Sequence, residues 1–386
     1  MKPKILFIMH MPPPIHGAAM VGQWIHDSKL INEEFDCHYI NPSISDSVDI
    51  VGKFNFGKIR NFLLIQFRIL RAIIKIKPDI CYFTPTSHGL GIFGNSITIM
   101  IMKLCRRKIV LHLHNKGVRK YAKHILARLS YKFNFSKVKV ILISKELFED
   151  TSEFVKEEDV FFLPNGIPQT ISDDAYNRIK EKRAKSSSSR VRFLFLSNMI
   201  SDKGIWVLLD ACKELYQENK DFECHYIGGW GDTNPDEFNK EIQRRNLENV
   251  VFVHGPKYGE DKRMYFTNSD VFVFPTFYHG ETFGLVLLEA MEYGLPCIST
   301  YEGSIPSIIK NGENGFLVKQ QDVNQLKDKM LYFIANPEIG IRMGEFGRTI
   351  FKDNFTINLF ENNLSAILNK TLIKNTLREP LTQKYR

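Results

Sequence analysis

The sequence predicts an α/β protein with two parallel-sheet domains, and three observations carry that expectation. Short apolar runs of strand length alternate with longer stretches of helical periodicity, the pattern of a parallel sheet covered on both faces. A polar, serine-rich stretch near the middle interrupts the alternation, which then restarts. Glycine and polar residues recur just after the apolar runs, where open parallel sheets bind their ligands. At 386 residues the chain is long enough for two cores.

In the first half, strands are expected at 4–9, 37–40, 80–83, 108–112 and 138–143, with helices at 18–32 and 58–75 between them. In the second helix Ile59, Phe62, Leu63, Gln66, Phe67, Leu70, Ile73 and Ile74 follow the i, i+3, i+4, i+7 rule. Arg60, Arg68, Arg71 and Lys75 fall opposite, so the apolar side is expected on the sheet. The apolar run 89–105 has 17 residues and contains Asn95 and Ser96, short of the about 20 needed to cross a bilayer, so it reads as a buried helix. Residues 169–190 are polar and short-chained, with nothing to bury, and read as a linker or surface excursion. Strands then recur at 192–196, 222–227, 250–254, 271–275 and 296–300. Helices are expected at 204–217, 234–246, 261–267, 284–293 and 323–335. The tail 342–370 is helical in pattern, and the polar residues from 371 are expected to fray. The domain expectation is therefore 1–168, a linker at 169–190, 191–350, and a C-terminal segment 351–386.

A hydrophobic fraction of 44% and a charged fraction of 25% are those of a soluble globular protein. The six cysteines are far apart, with no Cys-x-x-Cys, which fits reduced core thiols in a cytoplasmic setting. The N-terminal apolar run is short and ends in His10 and three prolines, which suits a buried strand and not a signal peptide. Charge is uneven. Residues 53–139 hold 19 Lys or Arg against one acid, Asp79, a net +18 in a chain whose total is +9. That asymmetry implies an anionic partner: a membrane surface, a phosphorylated substrate or nucleic acid. No basic-aromatic recognition motif supports nucleic acid.

The residues after the strands carry the chemistry. Pro12-Pro13-Pro14-Ile15-His16-Gly17 makes a stiff loop, and Gly17 permits close backbone approach at a helix start. Neither G-x-G-x-x-G nor G-x-x-x-x-G-K-[ST] occurs there, against a nicotinamide or flavin enzyme and against a P-loop. Alternation places His112 and His114 on one strand face, but no third ligand has metal-binding spacing. His112 reads equally as a packed histidine. Lys203-Gly204, after the first strand of the second half, forms a compact cationic site at a helix start. Gly228-Gly229-Trp230-Gly231 and Glu302-Gly303-Ser304 follow two further strands. The densest signal is Glu281 to Met291. Glu281 falls in a loop, and Glu289 in the second turn of the following helix. The N–H groups of Phe283, Gly284, Leu285 and Val286 point at the space a phosphate would occupy. Polar and glycine residues on one sheet edge describe a site for a phosphorylated, hydroxyl-rich ligand.

With those residues in view, the chain resembles the retaining, nucleotide-sugar-dependent glycosyltransferases of family 4, the group 1 glycosyltransferases. The resemblance is strongest over 193–317. It rests on the E-x7-E pattern of Glu281 and Glu289, Gly294-Leu295-Pro296, Glu302-Gly303-Ser304-Ile305-Pro306, Asn311 to Val318, and the Asn165-Gly166-Ile167 turn. It implies the GT-B fold: two Rossmann-like domains facing across a cleft, with a C-terminal helix crossing back to the first. It implies a UDP- or GDP-sugar donor bound mainly by the second domain, an acceptor held mainly by the first, and no metal or other cofactor. By position, Glu281 would approach the transferred sugar and Glu289 the ribose hydroxyls. Lys203 would meet the diphosphate, His114 the sugar, and Gly17 the phosphates. Asn198 stands where the family usually has arginine, which leaves open how the second phosphate charge is met. Asn198 and Gly229 complete the nucleotide-sugar set. Arg68, Arg71, Lys75, Lys116, Arg119 and Lys120 form the cationic acceptor or membrane side. Together these imply a peripheral enzyme at the inner face of the cytoplasmic membrane, acting on a lipid-diphosphate-linked oligosaccharide in bacterial surface polysaccharide synthesis. A soluble acceptor, and a sugar-nucleotide epimerase of the same fold, are the alternatives.

Overall fold

The computed structural model describes residues 1–13, 16–42, 56–87, 89, 91–186, 190–218 and 220–373. Pro14, Ile15, the serines 187–189 and the tail expected to fray from 374 onward lie outside these. The chain divides into two compact units, Met1–Asn165 with the segment from Ile357, and Gly166–Thr356.

In the first unit the strands are β1 (Lys4–Ile8), β2 (Asp36–Ile40), β3 (Ile80–Phe83), β4 (Lys108–Leu113), β5 (Lys139–Leu142) and β6 (Val160–Phe162). The helices are α1 (Gly17–Asp27), α2 (Lys29–Glu34), α3 (Phe56–Ile76), α4 (Gly91–Leu104), α5 (Val118–Tyr121), α6 (Ile125–Asn134) and α7 (Phe148–Thr151). All strand pairings are parallel, in the order β2-β1-β3-β4-β5-β6. The sheet is buried on both faces, in keeping with a strand Ile80-Cys81-Tyr82-Phe83 that has no charged residue. One face packs against α3, α4 and α6 through Ile65, Ile69, Ile73, Ile92, Ile99, Ala127 and Tyr131.

The second unit has β7 (Val191–Leu196), β8 (Phe222–Ile227), β9 (Val251–Val253), β10 (Val271–Phe274), β11 (Cys297–Thr300) and β12 (Gly315–Val318). Its helices are α8 (Asp173–Ser186), α9 (Ile205–Gln217), α10 (Pro235–Arg244), α11 (Gly259–Asn268), α12 (Leu285–Glu292), α13 (Ile305–Ile308), α14 (Val323–Ala335) and α15 (Pro337–Asn354). The parallel order is β12-β11-β10-β7-β8-β9. Counted within the unit this is the 3-2-1-4-5-6 order of dinucleotide-binding sheets, reversing between β7 and β10. The last helix, α16 (Ile357–Leu372), belongs to the first unit. There Phe360, Leu364 and Leu368 join α1 and α2 on the second face of the sheet, so the C-terminal helix does return to the first unit.

Several expectations are corrected. The 169–190 stretch is not a bare linker: 173–186 is a helix of the second unit that buries Tyr176, Ile179 and Arg183. The tail 342–370 is two helices, α15 and α16. Phe355 leaves helical geometry between them, buried edge-on against Phe283. The 18–32 helix is likewise two, because Ser28 ends α1 and its hydroxyl caps α2. Strands β6 and β12 were not anticipated. On α3 the inward residues are Ile65, Gln66, Ile69 and Ile73, while Ile59, Leu63, Phe67 and Ile74 face outward. The α4 helix buries only one side, leaving Phe93, Ile97, Met100 and Leu104 exposed.

Candidate active site

In the second unit the reversal of strand order leaves the ends of β7 and β10 side by side, and the loops that leave them are tied together. After β7, Met199 N–H donates to the Gly229 carbonyl (2.7 Å) and Ser201 N–H to Asp232 (2.8 Å). A short turn over Ser201–Lys203 ends at Gly204 (φ +86°), which starts α9. A Cβ at Gly204 would lie 2.3 Å from the Pro275 carbonyl oxygen, so glycine is required by both backbone angle and space. Phe277 N–H then donates to the Asp202 carbonyl (2.8 Å), fixing the β10 loop on the β7 loop.

That junction brings Lys203 and Glu281 together. The Lys203 ammonium donates to Glu281 Oε2 at 2.5 Å, with the two side chains only 13% and 14% exposed. The same Nζ lies 4.6 Å from the Tyr278 ring centre, so carboxylate and aromatic face both neutralise a mostly desolvated cation. Gly284 (φ +81°) then opens α12, which no side chain caps, so its first N–H groups stay available to an anion. Gly303, after β11, packs so close that a Cβ would lie 2.6 Å from the Glu281 carbonyl oxygen. Asn198 is exposed, with its Oδ1 near Gly229.

Glu289 lies further along α12 and pairs with Lys262 of α11 (2.8 and 3.0 Å to the two oxygens). Lys262 escaped the sequence reading because no local spacing connects α11 to α12. The site thus holds two lysine–glutamate pairs beside an uncapped helix start. That is a surface able to exchange carboxylate partners for phosphate and hydroxyl groups.

In the first unit the residues after β1 and β4 converge. His16 Nδ1 accepts from Ala19 N–H (3.3 Å), so the side chain beside Gly17 caps α1, and Gly17 itself is exposed. His112 is fully buried and hydrogen-bonded to the Tyr82 hydroxyl, which makes it a packed core histidine. The His114 ring lies against it, tilted by 40° with ring centres 3.9 Å apart, and its Nδ1 is buried without a hydrogen-bond partner. Burial, then the nearby His10 and His16, push the His114 pKa down to about 3. Among the described residues no group of three or more His, Cys, Asp or Glu is placed to hold a metal ion. Asp150 accepts from the N–H groups of Gly117, Val118 and Arg119 (2.7, 3.0 and 3.0 Å) and so fixes the Lys116–Lys120 loop. The Arg119 side chain pairs with Glu149 at the surface, so it is less available to an acceptor than its sequence suggests. Arg68, Arg71 and Lys75 are exposed on α3, and Lys120 is exposed on α5.

The His114 shift has a testable sign. A histidine at 6.5 when unfolded and about 3 when folded binds more protons unfolded. Its stabilising contribution is therefore complete above 6.5 and is lost as pH falls from there towards 3. His114→Gln should show a shallower fall in melting temperature than the parent between about pH 6.5 and 4. Parallel curves would show that His114 does not titrate in this way.

The comparisons agree with this architecture. Residues 177–350 match the family described as "Glycosyl transferases group 1". The chain is 25% identical to the capsular polysaccharide biosynthesis glycosyltransferase CapM of Staphylococcus aureus over 289 residues, 73% of this chain and 74% of that protein. It is 33% identical to the O-antigen chain mannosyltransferase C of Escherichia coli over 165 residues, 42% of each. Among solved structures, Anabaena HepE in complex with UDP superposes with a TM-score of 0.73 at 16% identity, covering 95% of this chain and 100% of that one. The chain is therefore a glycosyltransferase with the GT-B fold. Over residues 177–350 it is related to the group 1, family 4-like glycosyltransferases.

Proposed function

We propose that this chain is a retaining glycosyltransferase of bacterial surface polysaccharide synthesis. It would transfer a hexose or acetamido-hexose from a UDP- or GDP-sugar to a hydroxyl of a lipid-diphosphate-linked saccharide. The Lys203–Glu281 pair beside the uncapped start of α12 carries the reading. A sugar diphosphate entering there takes Lys203 and the α12 N–H groups as donors and releases Glu281 towards the sugar. The acceptor oxygen bonds to the anomeric carbon on the face from which the nucleoside diphosphate departs. The bond from that carbon to the diphosphate oxygen breaks, and the acceptor proton passes to a phosphate oxygen. Lys203 and the helix start stabilise the charge that develops on the leaving diphosphate. In this reading Glu289, paired with Lys262, would hold ribose hydroxyls, and His114 would contact the sugar. The relatives named for capsular and O-antigen synthesis support the pathway class, and the basic first unit supports an anionic, lipid-borne acceptor.

The test is a thermal-shift series with UDP-, GDP- and ADP-sugars, since a ligand that binds only the folded state raises its apparent stability. One uridine or guanosine donor should raise the melting temperature, and Lys203→Met should remove most of that rise. No shift with any donor would overturn the assignment. Glu289→Gln should raise the donor KM by about tenfold or more with a smaller change in kcat, as loss of uniform binding does. Release of free or epimerised sugar without an acceptor, in place of transfer, would favour the epimerase.

A further inference from the structure

The outer surface of the first unit carries a feature that charge alone does not explain. Twenty large apolar residues are exposed among the described residues, and thirteen of them lie on α3, α4 and α6. These helices lie side by side on one face of the sheet. Thr98 of α4 hydrogen-bonds Gln66 of α3 (2.9 Å), and Lys103 of α4 lies 4.3 Å from the ring centre of Phe133 on α6. On each helix the exposed apolar residues fall on one side. On α4, Phe93, Ile97, Met100 and Leu104 follow i, i+4, i+7, i+11 spacing. On α3 the outward stripe includes Leu63, Phe67 and Ile74, and on α6 it includes Leu126 and Leu129. Soluble monomers rarely expose apolar surface of this extent without a partner.

The charges around the stripe identify that partner. The three helices contain eight Lys or Arg and no Asp or Glu, although Glu153 pairs with Arg128 at the edge. A second copy docking through the same face would set like charges against each other, because a twofold interface is self-complementary. A bilayer with anionic headgroups meets both needs, taking apolar side chains into its acyl boundary and cations at the phosphates. We infer that α3, α4 and α6 together form a monotopic membrane-inserting face, with Phe67, Met100 and Leu129 entering the bilayer. This deepens the proposed function by naming the surface through which the chain reaches a lipid-borne acceptor, and it rests on that reading. None of the described helices is long and apolar enough to cross a membrane.

The experiment is vesicle flotation of the full chain with phosphatidylcholine alone and with about one third phosphatidylglycerol. It is repeated at about 1 M salt, where the Debye length shrinks to about 3 Å. The parent should float with anionic vesicles and keep a measurable fraction bound at high salt, because apolar insertion is not screened. Phe67→Ser, Met100→Ser and Leu129→Ser combined should weaken binding by about tenfold or more at both salts. Nucleotide binding by calorimetry should stay unchanged, since all three side chains are exposed. Arg68→Glu with Arg71→Glu should instead remove the preference for anionic lipid. Complete release at high salt would overturn insertion, and equal recovery with neutral and anionic vesicles would overturn the lipid assignment. Concentration-dependent dimers that the triple variant abolishes would reassign the face to a second copy. Calorimetry on the same sample reports the donor reading separately.

Discussion

Replacing Glu281 with glutamine should lower the turnover of sugar transfer by about a hundredfold or more, the scale of losing a group that acts in the transition state. Nucleoside diphosphate binding should hold steady or tighten. The opposite signs follow from the geometry. Glu281 occupies the Lys203 ammonium at 2.5 Å, so a phosphate must displace a carboxylate before it gains the lysine. A neutral amide removes that competitor and also removes the charge proposed to face the sugar. Stability should fall, because a mostly buried ammonium loses its partner. The Tyr278 face and residual solvent access keep the cost below the 3–5 kcal/mol of a fully buried broken pair. About 1–2 kcal/mol corresponds to a drop of roughly 2–8 °C for a unit of this size. Stopped transfer assays and calorimetry with UDP or GDP read the two effects independently. A variant retaining half of normal turnover would remove Glu281 from the chemistry.

How much of this was legible in the sequence depends on whether the cause is local. The post-strand residues could be read because a parallel sheet puts every strand's carboxyl end on one edge, so Lys203, Gly229 and Glu281 had to fall there once the strands were placed. Glu289 could be placed because eight positions beyond Glu281 it falls in the second turn of a helix whose end is marked by Gly294-Leu295-Pro296. Lys262 was hidden, since its link to Glu289 exists only through the packing of α11 on α12. The inward face of α3 was hidden for a different reason. Apolar residues surround most of that helix, so periodicity has two solutions, and only the sheet beneath selects Ile65, Ile69 and Ile73. The failure at 169–190 is the most instructive. Tyr176, Ile179 and Arg183 lie at i, i+3, i+7, a helical stripe in which arginine takes an inward position, and composition reads that arginine as solvent-facing.

Arg183→Ala should therefore be among the most destabilising single substitutions in the second unit, about 3–5 kcal/mol. The side chain is 7% exposed. Its Nη1 donates to the carbonyls of Tyr293 (2.7 Å) and Gly294 (3.3 Å), and its Nη2 to that of Phe266 (2.7 Å). Those carbonyls end α12 and lie near the end of α11, the two helices that carry Glu289 and Lys262. Burial pushes the guanidinium pKa down to about 10, which still leaves it charged at neutral pH. Alanine would leave three acceptors without this donor, and a cavity behind them. Lysine would keep the charge but cannot span the same fork, so it should recover only part of the loss. The neighbouring Glu292 would be disturbed as well. Its buried carboxylate accepts from Ile171 N–H (2.9 Å) and the Thr170 hydroxyl (3.0 and 3.1 Å), and burial raises its pKa. Loss of the arginine should therefore loosen both ends of α8 and the C-terminal end of α12 together. Urea unfolding would give the stability change from the shift in midpoint at constant slope. Donor KM measured well below that midpoint would report whether Glu289 and Lys262 had moved. A change under about 1 kcal/mol would mean that α8 is the surface excursion its composition suggests.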